Sequence, residues 1–246
     1  MAYTTIDNPE LYFQTKLYTG NGGTQSITLD GSENMQPDFV WYKNRSATAN
    51  HGLFDSVRGA SKLIQSNNTG AEQTVSGVTS FNSDGFGIGA DSDGNGNGNN
   101  IVAWNWKAGT SFTNDASSTG IGTIDSTGSF NNDSGFSIVS WTGTGSNGTI
   151  KHGMNTTPSF IAVKNLGGTD SWMVYHKNSN STPEDYILQF NTTITATDNN
   201  TIWNDTAPTS SVFSIGTDNG VNQSSKNYIA YCFAEKQGYS KFGSYT

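Results

Sequence analysis

Gln36-Pro37-Asp38-Phe39-Val40-Trp41-Tyr42-Lys43-Asn44 is answered later in the chain by Thr157-Pro158-Ser159-Phe160-Ile161-Ala162-Val163-Lys164-Asn165. In both, a proline opens an aromatic and β-branched run that closes on Lys-Asn. Such a run fits a pleated strand, and a proline at its first residue costs the ladder least. Three further matches follow in the same order. Phe13–Gly20 pairs with Phe136–Gly143, both ending aromatic-Thr-Gly; Gly85–Gly89 pairs with Val212–Gly216; Ile101–Trp106 pairs with Tyr228–Phe233. Four matches in one order mark an internal duplication, the first thing to look for because it decides every later assignment. Gly238–Thr246 reads as the opening strand of a third copy. Either it closes the sheet of the preceding unit by covering an edge, or it is a third copy cut short.

The material between the matched runs is turn-forming. The chain of 246 residues holds 29 glycines and is only 13% charged, which leaves little for exposed helices. Aromatic residues make up 12%, enough to fill thin β cores. Period-two runs such as Ile27-Thr28-Leu29, set between Gly, Asn and Asp clusters, predict an all-β chain. The expected architecture is two tandem related β-sandwich units, jelly-roll or concanavalin-like, with very little helix. Phe54–Gly59 is the best helical candidate and is too short for more than about a turn. The expected layout is an N-terminal arm at 1–11, a first repeat at 12–109, a Ser/Gly/Asn-rich linker at 110–134 that adds at most an irregular strand, and a second repeat at 135–246 with its closing strand at 238–246. Whether the repeats share one sandwich or form two is open at this stage.

The net charge of −8 repels phosphate backbones and anionic membranes, so nucleic acid is not an expected partner. No charged-then-apolar leader follows Met1, and no apolar run is long enough to span a bilayer. Synthesis in the cytoplasm without membrane insertion is expected. The single cysteine, Cys232, lies in an apolar run and is expected to be buried and inert.

Several longer strings carry a resemblance. Leu53-Phe54-Asp55-Ser56-Val57-Arg58-Gly59, Ser80-Phe81-Asn82-Ser83-Asp84-Gly85-Phe86, Ala103-Trp104-Asn105-Trp106-Lys107-Ala108-Gly109, Trp172-Met173-Val174-Tyr175-His176 and Tyr228–Lys236 are similar to those of virion proteins of cyanophages and other marine phages. The similarity runs through nearly the whole chain. It implies a lectin-like, concanavalin-like β-sandwich module of tail fibres and related appendages, located in the virion and without catalytic residues to carry over. It also implies other virion proteins as partners and a homo-oligomer, a trimer by analogy with fibres. Such a protein has a host-surface glycan as candidate ligand. Decoration of the capsid and polysaccharide degradation are the alternative roles.

Four sets of side chains are weighed for chemistry. Trp203, embedded in polar residues, is the leading platform for stacking on a sugar, and Trp172 and Tyr175 are further candidate glycan or host contacts. Asp91, Asp93 and Asn95 present oxygens at alternate positions, as a Ca²⁺ loop does, although Val102 stands where the closing bidentate glutamate belongs. His51, His152 and His176 have no Cys or carboxylate at zinc-ligand spacing. A glycosidase needs two carboxylates facing across a cleft. Glu184 and Asp185 are adjacent, so a strand points them to opposite faces; Asp55 with Asp84 stays open as a pair. No enzyme activity is expected.

Overall fold

The two Pro-led runs become central strands, each beginning two residues after its proline. The computed structural model describes residues 4–244 and divides the chain into two compact units, Asn8–Ala108 and Met1–Asp7 with Gly109–Thr246. The first unit contains β1 (Phe13–Thr19), β2 (Gln25–Thr28), β3 (Phe39–Asn44), β4 (Gly52–Asp55), β5 (Lys62–Gln65), β6 (Gln73–Thr74), β7 (Val78–Asn82), β8 (Gly85–Ile88), the one-turn helix α1 (Ser92–Asn95) and β9 (Asn100–Trp106). Its large sheet runs β1-β9-β3-β4-β5-β6 and its small sheet β2-β8-β7, all antiparallel. Ile27, Phe86 and Ile88 of the small sheet meet Val40, Tyr42, Phe54 and Ala103 of the large one in a single buried core.

The second unit contains β10 (Thr110–Asn114), α2 (Ala116–Thr119), β11 (Ser126–Asn131), β12 (Phe136–Thr142), β13 (Gly148–Lys151), β14 (Phe160–Asn165), β15 (Met173–His176), β16 (Tyr186–Gln189), β17 (Thr197–Asp198), α3 (Asn200–Trp203), β18 (Val212–Ile215), α4 (Asn219–Asn222) and β19 (Asn227–Phe233). Its large sheet runs β10-β11-β12-β19-β14-β15-β16-β17, with β13-β18 as the second layer. From β12 onward the strand order repeats that of the first unit position for position. The registers agree as well: Phe39 lies opposite Trp106 and Asn44 opposite Ile101, as Phe160 lies opposite Phe233 and Asn165 opposite Tyr228. Ile150, Phe213 and Ile215 close over Val139, Trp141, Ile161 and Ala230. The chain is all-β, as the alternation predicts, and its α-helices are single turns.

Residues 110–134 are not a linker. They supply β10, α2 and β11, which extend the second sheet beyond β12. Phe112 and Phe130 pack against the core, and the buried Asn114 and Ser126 tie the segment down by donating to Ile121 O at 2.9 Å and Lys151 O at 3.1 Å. The segment 238–244 is not a closing strand. Gly238, at φ 76°, turns the chain back, a single bridge joins Lys236 to Ser240, and Phe242 stacks on Phe160 at 5.9 Å. Residues 245–246 of that expectation, and 1–3 of the N-terminal arm, lie outside the described residues. Within the arm, Pro9–Leu11 forms a 3₁₀ turn capped by the Asn8 side chain. Phe54–Gly59 is the end of β4 and a turn, not a helix. Cys232 is fully buried, and burial pushes its thiol pKa up, in keeping with an inert role.

Candidate functional site

A helix-capping aspartate and a fully buried asparagine meet at one loop cluster in each unit. In the first, Asp91 caps α1 by accepting the Asp93 N–H at 2.9 Å, and Tyr42 donates its hydroxyl to the other carboxylate oxygen. Asn95, fully buried, faces the β1–β2 loop. Its Nδ2 donates to Gly23 O at 2.6 Å and Gly89 O at 2.8 Å, and its Oδ1 accepts from Asn21 N at 3.0 Å and Gln25 Nε2 at 2.6 Å. The second unit repeats this. Asp218 caps α4 through Gly220 N at 2.7 Å, and Asn222 donates to Ser146 O at 2.6 Å and Gly216 O at 2.8 Å while accepting from Thr144 N at 2.8 Å. The glycine of each aromatic-Thr-Gly run is required here. A Cβ on Gly20 would lie 2.2 Å from Gly96 O, and one on Gly143 would lie 2.3 Å from Gln223 O. An Asp-x-x-x-Asn turn therefore clasps a Thr-Gly-x-Gly loop in both copies.

The clasp accounts for the residues expected to bind Ca²⁺. Asp91 is a helix cap, Asp93 supplies a backbone donor to it, and the Asn95 amide is spent on backbone groups. Among the described residues no group of three or more His, Cys, Asp or Glu side chains is arranged to hold a metal ion. The glycan candidates are corrected likewise: Trp203 is 2% exposed, Trp172 is 0% and Tyr175 is 5%, so none offers a face to a sugar. Tyr175 meets Trp203 edge-on at 6.0 Å, and Trp172 stacks on Tyr231 at 6.2 Å. Trp203 sits in polar sequence because α3 is one turn, and a single turn buries Ile202 and Trp203 while its neighbours stay wet.

The carboxylates do not face one another across a cleft. Asp55 is fully buried against Arg58, and Asp84 Oδ1 accepts the Met35 N–H at 3.2 Å. Glu184 and Asp185 occupy a 3₁₀ turn. Desolvation, and then the charges of Asp185, Asp198 and Glu184, raise the Asp205 pKa.

His152 is an interior residue. Its Nε2 donates to Thr209 O at 3.2 Å, and Nδ1 has no partner, so protonation would place an N–H in dry space. Burial lowers its pKa to about 4, partly offset by the Thr209 carbonyl. The unfolded chain, with a histidine pKa near 6.5, takes up this proton first. Stability is therefore full above pH 6.5 and falls as the pH drops toward 4. Between pH 7.5 and pH 5 the loss is expected to be about 2 kcal/mol. Urea unfolding of the wild type and of His152→Gln at the two pH values checks it: the wild type should lose that much more than the variant.

The connections that follow the Lys-Asn pairs differ between the units. In the first, Lys43 Nζ reaches Ala49 O at 3.1 Å, and Arg45 to Thr48 are exposed. In the second, the Lys164 ammonium is buried among the carbonyls of Asn165, Gly168 and Asp170 at 3.1, 3.3 and 2.9 Å, and burial lowers its pKa to about 8 against the pull of Asp170. The shared polar residues brace the loops, and the unshared ones are what the loops present. The candidate contact surface of the first unit is thus Arg45, Ser46 and Thr48, beside the clasp.

Residues 8–246 match the family model described as "Domain of unknown function (DUF7483)", and the chain belongs to that family. No curated protein and no solved structure matches it.

Proposed function

We propose that this family member is a non-catalytic structural protein of a phage particle, a tail-fibre or tail-appendage component whose loop ends touch the host surface or a neighbouring virion protein. The observation that carries the reading is the doubled clasp. Asp91 and Asp218, Asn95 and Asn222, polar residues that recur in both units, are consumed in holding loops rather than gathered around a reaction centre. A duplicated frame with divergent connections suits display and contact. The long strings similar to marine phage virion modules support the assignment to a particle. The Arg45–Thr48 connection offers a guanidinium and two hydroxyls, donors suited to the hydroxyl and carboxylate groups of an acidic surface glycan.

Localisation tests this directly. Antibody labelling or reconstruction of the particle is expected to place the protein on the tail, and Arg45→Ala with Ser46→Ala is expected to slow adsorption to host cells severalfold. Density on the shell would replace the reading with capsid decoration. Release of reducing ends from host polysaccharide would overturn the non-catalytic part.

A further inference from the structure

The two units differ most at one sheet edge. In the second, β12 is paired on both sides, by β19 and by β11, with β10 beyond, and Phe136 to Val139 are all buried. The equivalent strand of the first unit, β1, ends its sheet. It pairs with β9, and among the described residues nothing pairs with its other side. Thr15, Leu17 and Thr19 are exposed, Leu17 at 58%. Flanking bonds fix which backbone groups point outward: Lys107 N–H donates to Tyr12 O at 2.9 Å and Gly20 N–H to Asn99 O at 2.8 Å. Even-numbered residues therefore face β9, and the N–H and C=O groups of Phe13, Thr15 and Leu17 face away from it. A seven-residue edge with an apolar side chain at its middle is a template for another strand.

We infer that β1 pairs antiparallel with β1 of a second copy of this chain, joining two large sheets across a twofold axis. The sequence Phe13-Gln14-Thr15-Lys16-Leu17 is self-complementary in one register. With Thr15 opposite Thr15, Phe13 of each copy faces Leu17 of the other and Gln14 faces Lys16, so the exposed leucine is covered and no like charges meet. A register centred on Lys16 would set two ammonium groups face to face, and one centred on Leu17 would leave Phe13 unopposed. The favoured register exchanges about six backbone hydrogen bonds and closes on itself as an isologous contact. The strip is smaller than a standard interface, so the dimer is weak in solution, forming at about 0.1–1 mM, and gains from the crowding of copies on a shared assembly.

Sedimentation of the full chain up to about 1 mM is expected to show a concentration-dependent dimer. Thr15→Pro removes an outward N–H that the monomer's ladder does not use, and it should weaken the dimer by about tenfold or more with unchanged thermal unfolding. Leu17→Glu is the second variant should the proline disturb β1. Thr15→Cys should give a disulfide-linked dimer on oxidation, because directly opposed residues lie within bridging distance. Cys232 is buried and does not compete, and Ser117→Cys, exposed in the second unit, is the control. A monomer throughout, a dimer indifferent to both Thr15→Pro and Leu17→Glu, or crosslinking of Thr15→Cys no faster than of Ser117→Cys would each overturn the inference.

Discussion

Arg58→Met is expected to destabilise the first unit by about 3–5 kcal/mol, measured as a lowered urea midpoint. The Arg58 side chain is 3% exposed and its donors are committed: Nε to Asp55 Oδ2 at 2.6 Å, Nη1 to Lys62 O at 2.9 Å and to Glu72 Oε2 at 3.2 Å, and Nη2 to Leu53 O at 3.2 Å. Asp55 is fully buried, and its other oxygen takes the Arg58 N–H at 2.8 Å. Methionine replaces the stem but leaves the buried carboxylate without its counter-ion and two carbonyls without donors, the situation in which removing one partner costs more than the pair contributes. Arg58→Lys keeps the charge but not the fork, and should fall between wild type and Arg58→Met. The double variant Asp55→Leu with Arg58→Met should recover part of the loss, since no isolated charge remains. A cost below about 1 kcal/mol for Arg58→Met would show that water reaches Asp55 and that the turn is not held by this pair.

This ion pair also shows how far the sequence could be read. The strands were legible because apolar and aromatic residues alternate with polar ones, and the Pro-led runs land in matching central strands. Phe54–Gly59 is the best helical candidate in the sequence, and its aspartate and arginine are three apart, a spacing that on a helix would put them on one face. Here that spacing instead lets a buried side chain fold back across a turn closed by Gly59 at φ 94°. β10 and β11 resemble a linker in sequence because both strands are mostly small polar residues, with one apolar side chain each, Phe112 and Phe130. Trp203 looked exposed for a similar reason: local polarity reports the solvent around a one-turn helix, not the direction of one of its side chains. The clasp has a signature in the sequence. Asp-x-x-x-Asn recurs at 91–95 and 218–222, and each instance accompanies a Thr-Gly-x-Gly loop. Read in one unit it resembles a calcium loop; read in both, the carboxylate and amide that persist are a cap and a brace.

That brace sets the second large effect. Asn222→Ala and Asn95→Ala are each expected to cost about 2–3 kcal/mol, because each removes two donors to loop carbonyls and the acceptor of one loop N–H; Gly89 O keeps the Asp91 N–H and Ser146 O the Thr144 hydroxyl, so the carbonyl that loses its amide donor outright is Gly23 O in one clasp and Gly216 O in the other. Asn95 Oδ1 also accepts from Gln25 Nε2, which donates to Thr19 O as well. Neither side chain can be replaced by water without opening the loop, for both asparagines are fully buried. Asn222→Asp separates hydrogen bonding from packing. It keeps the shape and the acceptor for Thr144, but at neutral pH it sets a carboxylate against the Ser146 and Gly216 carbonyls. Its folded pKa is then raised, so its deficit should grow as the pH rises above about 4 and shrink on acidification. Urea unfolding at pH 5 and pH 7.5 measures this, and hydrogen exchange at the Thr144 and Asn21 amides gives the local readout. If exchange there stays slow in the alanine variants while the global midpoint falls, the loops are held by their backbone bonds, Gly22 N to Asn95 O and Gly145 N to Asn222 O, each 2.8 Å. Fast exchange with little global loss would make the clasp a device for loop rigidity alone. A fall in both is the expected result, because the same buried amide joins a loop that presents side chains to the β8–β9 or β18–β19 connection behind it.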